Sequence, residues 1–346
     1  MVFFRVDSSV QIGSGHLMRC LTLAQQLKRR GGKAITFICR DLEGNLSRLV
    51  NERGFGLELL PRASIDGELE GYAQWLTVKQ EQDADETINV LKKYGHVECV
   101  VVDSYAIDEN WEHVVRPYTD EIFVIDDLAN RKHDCDVLLD QNYYLNKDDR
   151  YKGLVPEHCK LLLGPEHALL RDEFYQAKEK MKPRSGKLNN ILVFYGGADT
   201  TDETTKAIEA LSELKDSGEL VNVKITIVVG GNNPRKDIIA ALCHEKGFEY
   251  LYQVNNMAEL MSEADLMLGA GGTTTWERCF LSLPAIVTAV AENQLKVCED
   301  CAETGLIDYL GYWKKVTEDD VCEAIRICLS SEKCLSMQKK IRQIFD

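Results

Sequence analysis

The sequence contains no long hydrophobic run and little proline, and each absence excludes a class of protein. No stretch approaches about 18 consecutive apolar residues, so a helix that spans a membrane is excluded. The start of the sequence lacks a basic region followed by an apolar core, and we therefore expect no signal peptide there. Proline occurs 7 times in 346 residues and no segment has low complexity, which excludes a fibrous or disordered chain.

Positive charge is also in short supply. The sequence has 41 lysine and arginine residues against 56 aspartate and glutamate residues, which gives a formal net charge of −15. A surface of this sign repels the phosphate backbone of nucleic acids, so a general nucleic-acid-binding protein is excluded. A nucleotide-sized ligand is still compatible with this charge, because a few backbone N–H groups and one or two arginines can hold it.

The 12 cysteines are scattered rather than arranged as a disulfide framework. Cys298 and Cys301 form the one close pair, and no second pair lies at the spacing of a zinc site. We therefore expect reduced thiols in a cytoplasmic protein, with neither a metal nor another cofactor.

Short apolar runs alternate with helical patterns along the whole sequence, which predicts parallel βαβ units and an α/β fold. The strands predicted in the first half are 2–6, 34–39, 56–60, 99–103, 122–125, 137–140 and 160–163. The helices predicted between them are 16–30, 44–53, 83–94 and 110–118.

A charged stretch at 171–189 separates two such patterns, and the length of the chain also favours two domains. We predict an N-terminal Rossmann-like domain at 1–170, a connector at 171–189 and a C-terminal Rossmann-like domain at 190–346. Ligands bind doubly wound sheets at the carboxyl ends of their strands, so two such domains are expected to face an interdomain cleft. The second-half prediction has strands at 190–194, 224–229, 249–252, 266–269 and 285–288, and helices at 201–214, 234–246, 257–264, 274–281, 294–304 and 317–329.

The turn after the first predicted strand carries Gly13 and Gly15 directly before His16. The glycines let the backbone approach a ligand, and the helix start favours an anion and a neutral imidazole. Neither a Rossmann fingerprint nor a P-loop is present, because the G-x-G is followed by His-x-x-Arg. His16 is thus a candidate general base, with a purely structural cap as the alternative. Arg19 is a candidate binding residue that more simply orders the turn or pairs with an acidic neighbour.

Two glycine-rich loops follow strands of the second half and are suited to phosphates. The first contains Gly196 and Gly197, although a glycine pair also serves ordinary turns. The second runs from Gly271 to Glu277, and its backbone N–H and hydroxyl groups can donate hydrogen bonds to a diphosphate. The carboxylate of Glu277 can accept hydrogen bonds from both hydroxyls of a ribose. The alternative for Glu277 is a solvated or capping helix residue. The binding candidates in this second loop are Gly271, Gly272, Thr273, Thr274 and Glu277.

Three further polar residues follow predicted strands of the first half, namely Tyr105, Asp126 and Asn142. Each is expected at the carboxyl edge of the sheet, where ligands bind. Asp126 and Asp127 are adjacent, point in different directions and lack D-x-D spacing, so a metal site is not favoured.

The segment RVDSSVQIGSGHLMRCLTLA, from Arg5 to Ala24, resembles the N-terminus of the UDP-sugar hydrolases of pseudaminic acid biosynthesis. Further matches begin at Asp103, Ile125, Cys135, Tyr151 and Leu169, so the resemblance covers the whole chain. The second half, at 257–277 and 284–294, is also similar to the nucleotide-binding half of MurG-like GT-B glycosyltransferases.

The resemblance implies a GT-B fold that binds UDP mainly through its second domain, with Asn293 and Gln294 among the binding residues. It implies hydrolysis of UDP-2,4-diacetamido-2,4,6-trideoxy-β-L-altrose, in which water activated by His16 attacks the anomeric carbon with inversion. Tyr105, Asp126 and Asn142 would shape the sugar pocket, and no metal would be obligatory. The released sugar would serve pseudaminic acid synthesis and flagellin glycosylation.

Two other functions remain open on the same fold. One is a glycosyltransferase that uses a UDP-sugar donor, and the other is a non-catalytic protein that binds nucleotide sugars. The expected partner in every case is a small molecule rather than a nucleic acid or a membrane, and a monomer is the default expectation.

Overall fold

A computed structural model describes residues 1–330 and 332–345. The chain forms two compact units. The first unit comprises Met1–Asn142 and Asn146–Leu169, and the second comprises Tyr143–Leu145 and the chain from Leu170 onward. The charged segment 171–189 therefore belongs to the second unit, where it contains a helix at Asp172–Lys180.

The first unit contains a seven-stranded parallel sheet in the order β3-β2-β1-β4-β5-β6-β7. Its strand order reverses between β1 and β4, and the carboxyl edge at such a switch point is where doubly wound sheets bind ligands. Strand β1 is buried along its whole length, as expected for a parallel strand covered on both faces. The strands are β1 Val2–Val6, β2 Ile35–Arg40, β3 Gly56–Leu60, β4 Cys99–Asp103, β5 Glu121–Ile125, β6 Val137–Asp140 and β7 Lys160–Leu163.

The helices of the first unit pack their apolar faces on this sheet. Helix α1 buries Leu17, Leu21 and Ala24, and it ends at Gly32, whose left-handed backbone closes the last turn onto Lys28. The α-helices are α1 Gly15–Gly31, α2 Arg48–Glu52, α3 Gln80–Leu91 and α4 Glu109–Val115. Short 3₁₀ helices occupy Gly71–Leu76, Arg116–Tyr118, Lys147–Asp149 and Pro165–His167.

The second unit repeats the plan with a six-stranded parallel sheet in the order β10-β9-β8-β11-β12-β13. Its strands are β8 Asn190–Phe194, β9 Lys224–Val229, β10 Glu249–Tyr252, β11 Leu266–Ala270, β12 Ala285–Ala289 and β13 Asp308–Tyr312. Its helices are α5 Asp172–Lys180, α6 Glu203–Asp216, α7 Lys236–Lys246, α8 Met257–Glu263, α9 Thr274–Phe280, α10 Leu295–Glu303, α11 Glu318–Ser330 and α12 Lys333–Phe345, with a 3₁₀ helix at Glu292–Gln294.

The predicted α/β fold with two doubly wound sheets is confirmed, but one strand and one α-helix of the second unit were not predicted. Strand β13 is an edge strand in which every residue is only partly buried, so it lacks the continuous apolar run of the central strands. Helix α12 buries Cys334, Met337 and Ile341 but is rich in lysine and arginine on its other positions, which hides its apolar face in the sequence.

Three features of the described chain bear on the predictions from composition. Within residues 1–330 and 332–345, no helix has the length and apolar character that crossing a bilayer requires. All 12 cysteines are free thiols. Over the same residues, no three metal-ligating side chains are grouped so that they could hold a metal ion.

Candidate active site

The turn that follows β1 is held together by its own hydrogen bonds and leaves free space at its two glycines. Gly13 has a φ of +79°, a left-handed conformation that favours glycine, and its N–H donates to the carbonyl of Ser9 at 2.9 Å. The Ser9 hydroxyl accepts from two further backbone N–H groups of the turn. A Cβ added at Gly13 or at Gly15 would meet nothing within 4 Å, so the turn leaves space before His16.

His16 forms a buried pair with Asp103. Its Nδ1 donates to Asp103 Oδ1 at 2.7 Å, and the two side chains are 10% and 0% exposed. The pairing arises because β4 lies beside β1, with Val6 opposite Asp103 at the carboxyl edge of the sheet. An ionised carboxylate accepts hydrogen bonds only, so Nδ1 carries a proton, and in the neutral imidazole the lone pair then lies on Nε2.

Arg19 lies one helical turn after His16 and holds two carboxylates. Its Nε and Nη2 each donate to Asp103 at 2.6 Å, and its Nη1 donates to Asp127 at 2.9 Å. The structure thus pairs Arg19 with acidic neighbours, the simpler of the two roles foreseen for it. Burial opposes the charge of the Asp103 carboxyl, but Arg19 and then His16 outweigh it and hold the pKa of Asp103 well below its usual range.

An aromatic wall formed by Tyr72, Trp75 and Tyr105 stands beside His16. The rings of Tyr105 and Trp75 meet the imidazole edge-on, with centroids 4.7 and 5.7 Å away. Tyr72 packs against both of the other rings, and the Tyr105 hydroxyl donates to Asp127. A cavity of about 320 Å³, lined by Trp75 and by residues of the turn after β1, opens next to this wall.

Asp126 is held by contacts with its own loop and with Tyr151. Asp126 is fully buried, and its carboxylate accepts from Arg131 at 2.7 Å, from the Ala129 N–H and from the Tyr151 hydroxyl. These contacts show that Asp126 stabilises its loop, whereas its neighbour Asp127 accepts a hydrogen bond from Arg19. The Asn142 N–H donates to Asp140, whose pKa is raised to about 7 by burial and then by the charge of Asp127.

In the first glycine loop of the second unit, Gly196 has free space beside it and Gly197 is tightly packed. Gly196 has a φ of +92°, and a Cβ there would meet nothing within 4 Å. Gly197 lies directly against Gly230, so closely that a Cβ on Gly230 would overlap its backbone. Gly230 follows the carboxyl end of β9 and therefore shapes this loop, a role that a glycine after a strand does not reveal in the sequence.

The second glycine loop joins β11 to α9. A side chain at Gly271 would collide with the thiol of Cys298 and crowd Gln294, so packing of α10 explains this glycine. Gly272 and Thr274 are partly exposed and Thr273 is exposed. Gln294 Oε1 accepts from the backbone of Val290 at 3.0 Å, and the neighbouring Asn293 is exposed.

Glu277 has a cationic partner within the second unit that the sequence did not reveal. Its Oε1 accepts from Nε and Nη2 of Arg171, each at 3.0 Å. Burial raises the pKa of Glu277, and the Arg171 guanidinium opposes that shift. The carboxylate is therefore oriented by an arginine that lies 106 residues away in sequence, whose charge favours its ionised form.

Two parallel sheets of this kind define the GT-B class of fold, and solved structures of that class match the chain over nearly its whole length. MurG of Acinetobacter baumannii has a TM-score of 0.65 and 15% identity, and covers 99% of this chain and 94% of its own. The glycosyltransferase WaaG has a TM-score of 0.52 and 16% identity, and covers 100% of this chain and 95% of its own. Residues 190–341 match the glycosyltransferase family 28 C-terminal domain.

The chain is also similar in sequence to proteins of three microorganisms. It is 29% identical over 307 residues to the UDP-2,4-diacetamido-2,4,6-trideoxy-beta-L-altropyranose hydrolase of Campylobacter jejuni, across 88% of this chain and 97% of that protein. It is 26% identical over 201 residues, 58% of each chain, to the spore coat polysaccharide biosynthesis protein SpsG of Bacillus subtilis. An uncharacterized Methanocaldococcus jannaschii protein is 25% identical across 85% of this chain, which spans 56% of that protein. The resemblance predicted from the sequence motifs is thereby confirmed.

Proposed function

We propose that this chain is a UDP-sugar hydrolase that releases UDP and a free hexose by attack of water on the anomeric carbon. The observation that carries the proposal is the His16–Asp103 pair, which leaves Nε2 of the imidazole as a proton acceptor in front of an open turn. The name of the Campylobacter relative supports hydrolysis as the reaction.

In the proposed reaction, His16 Nε2 removes a proton from water as the water oxygen bonds to the anomeric carbon. The bond between that carbon and the β-phosphate oxygen breaks, its electrons leave with UDP, and the anomeric centre is inverted. Asp103 stabilises the imidazolium that forms, and Arg19 keeps Asp103 ionised.

The second unit supplies the proposed UDP site. Glu277, oriented by Arg171, is positioned to accept the ribose hydroxyls, and the open glycine Gly196 lets the backbone approach the phosphates. The remaining proposed contacts are Gly197, Gly271, Gly272, Thr273, Thr274, Asn293 and Gln294.

For the sugar, we propose a 2,4-diacetamido-2,4,6-trideoxyhexose and a place in pseudaminic acid synthesis. The aromatic wall of Tyr72, Trp75 and Tyr105 supports a sugar with apolar groups, because ring faces and methyl groups pack well together. Gly13 and Gly15 leave space for the hexose. Asn142 and Asp126 would shape the sugar pocket by fixing the conformation of their loops.

A glycosyltransferase is the second candidate, because residues 190–341 match the glycosyltransferase family 28 C-terminal domain. The distinguishing experiment measures UDP release from UDP-2,4-diacetamido-2,4,6-trideoxy-β-L-altrose without metal and without acceptor. We expect turnover by the wild type and a loss of about 10²–10⁴-fold in kcat for His16→Ala, with UDP affinity retained.

The chain offers a matched control in His133, whose Nδ1 pairs with buried Glu112 at the same 2.7 Å. His133→Ala removes a buried histidine–carboxylate pair of equal geometry and should leave kcat within about threefold if it folds. Turnover that requires an added hydroxyl acceptor would assign the chain as a transferase. UDP binding without turnover under either condition would leave a binding protein.

A further inference from the structure

Arg278 is a buried cation directly behind the second glycine loop. It is 0% exposed and follows Glu277 on helix α9. Its Nη1 donates to the carbonyl of Ala270 at 3.1 Å and its Nη2 donates to the Thr275 hydroxyl at 3.0 Å. Its Nε is buried without a hydrogen-bond partner.

No anion balances this guanidinium within the described chain, residues 1–330 and 332–345. The groups that face it are the thiols of Cys279, Cys298 and Cys301 and the phenol of Tyr195. Burial raises the pKa of Cys279 to about 11 and that of Cys298 to about 12, so both thiols are neutral at pH 7. Arginine stays protonated in proteins, and a buried charge without a partner destabilises the fold.

Arg278 lies against the backbone at the start of the second glycine loop. A Cβ on Gly269 would lie 3.9 Å from Arg278 Nη1, and Ala270 accepts its hydrogen bond. Because a trans peptide directs its N–H opposite to its C=O, the Gly271 N–H points away from the guanidinium. The hydrogen bond to Ala270 also polarises that peptide, which strengthens the Gly271 N–H as a donor.

We propose that Arg278 is a specificity-determining residue whose uncompensated charge makes the glycine loop select a diphosphate over an uncharged nucleoside. The inference rests on the proposed function, because it takes UDP as the ligand of the second unit. Arg278 acts through the electrostatic field of its guanidinium and through its hydrogen bond to Ala270, and does not contact the diphosphate itself. A ligand that brings two or three negative charges supplies the counter-charge that the fold lacks.

The test measures the dissociation constants of UDP and of uridine by calorimetry for the full chain and for Arg278→Met. We expect UDP affinity to fall at least about tenfold more than uridine affinity, since only UDP carries a diphosphate that the Arg278 guanidinium attracts. We also expect the unliganded variant to melt no lower than the wild type, because an apolar residue of similar length removes an unpaired buried charge. Arg278→Lys, which keeps the charge, should retain the preference for UDP within about threefold.

Arg184 provides the matched control. It is a partly buried arginine of the same unit, and its guanidinium donates to the carbonyls of Met261, Ala264 and Leu281. Ala264 precedes β11, whose four steps from Leu266 to Ala270 span about 13 Å, so it lies at the opposite end of the strand from Ala270. Arg184→Met should lower the melting temperature and leave the ratio of UDP to uridine affinity unchanged.

Equal losses for UDP and uridine in Arg278→Met would overturn the inference, as would a change in the ratio in Arg184→Met. If Arg278→Met does not fold, a lost preference for UDP in Arg278→Lys would equally overturn it. Failure of the wild type to bind UDP would instead contradict the proposed function, and the inference would fall with it.

Discussion

The side chains of His16 and Asp103 are 87 residues apart in sequence and are joined by a 2.7 Å hydrogen bond. The bond depends on the order of the sheet, because β1 and β4 are neighbours and end at the same edge. It fixes which nitrogen of the imidazole holds a proton, and the proposed chemistry follows from that assignment.

Asp103→Asn is therefore expected to lower kcat by about 10²–10⁴-fold while the dissociation constant of UDP stays within about twofold. An amide N–H facing Nδ1 would favour the tautomer in which Nε2 is protonated and cannot accept a proton. The loss of one charge partner of Arg19 should also lower the free energy of unfolding by about 3 kcal/mol. Steady-state kinetics and urea unfolding at pH 7 measure the two effects separately, and an unchanged kcat would remove Asp103 from the mechanism.

The lowered pKa of Asp103 also predicts the acid sensitivity of the fold. A carboxyl whose pKa is lower in the folded state than in the unfolded state stabilises the fold above its unfolded value of about 3.9. That contribution is lost as the pH falls through the folded value. Between pH 6 and pH 2, the free energy of unfolding should therefore fall more steeply for the wild type than for Asp103→Asn. Parallel curves would show that this carboxyl is not held in its charged form.

Asp140 should behave with the opposite sign. Because its folded pKa is raised to about 7, the folded state binds a proton more readily than the unfolded state. Its contribution to stability therefore declines as the pH rises from about 4 to about 7 and is constant above that. Asp140→Asn removes the titration, so the stability of the variant relative to the wild type should increase over that window.

The slope of that difference is the measurement, because other lost contacts of Asp140 shift both ends of the curve equally. Urea unfolding at four or five pH values gives it directly. A flat difference between pH 4 and pH 7 would contradict a raised pKa. Asp136→Asn serves as the control, since the pKa of Asp136 is lowered rather than raised.

Arg171 and Glu277 should affect the nucleoside part of the ligand. In Arg171→Met, burial is no longer opposed, so the pKa of Glu277 rises further and the carboxylate loses its orientation. We expect UDP and uridine to weaken equally, by about fivefold to tenfold, because both carry the ribose. The loss should grow as the pH is lowered from 7 to 6, and calorimetry at both values tests it. A loss confined to UDP would mean that Arg171 contacts phosphate instead.

The sequence predicted the order of strands and helices because each central strand is a continuous apolar run and each early helix has one apolar face. It also singled out His16, since the glycines around it mark a close turn. It could not predict the partners Asp103 and Arg171, because each lies across the fold, and only the sheet order or the packing of α5 brings it near. Tyr72 and Trp75 escaped notice because a 3₁₀ segment shows no helical or strand periodicity.

The aromatic wall gives the last prediction. Tyr72→Ala removes the most exposed of the three rings and should lower kcat/KM for the UDP-sugar by about tenfold, with the UDP dissociation constant unchanged. The physical reason is that the ring contributes contact area for the sugar and not for the nucleotide. Tyr118→Ala is a matched control, because Tyr118 lies in the same unit, is 37% exposed where Tyr72 is 38%, and has its ring beneath the ammonium group of Lys92. If both variants lose kcat/KM alike, the effect is one of stability and the wall does not bind the sugar. A loss in Tyr72→Ala alone would place the hexose against Tyr72, Trp75 and Tyr105, within reach of His16.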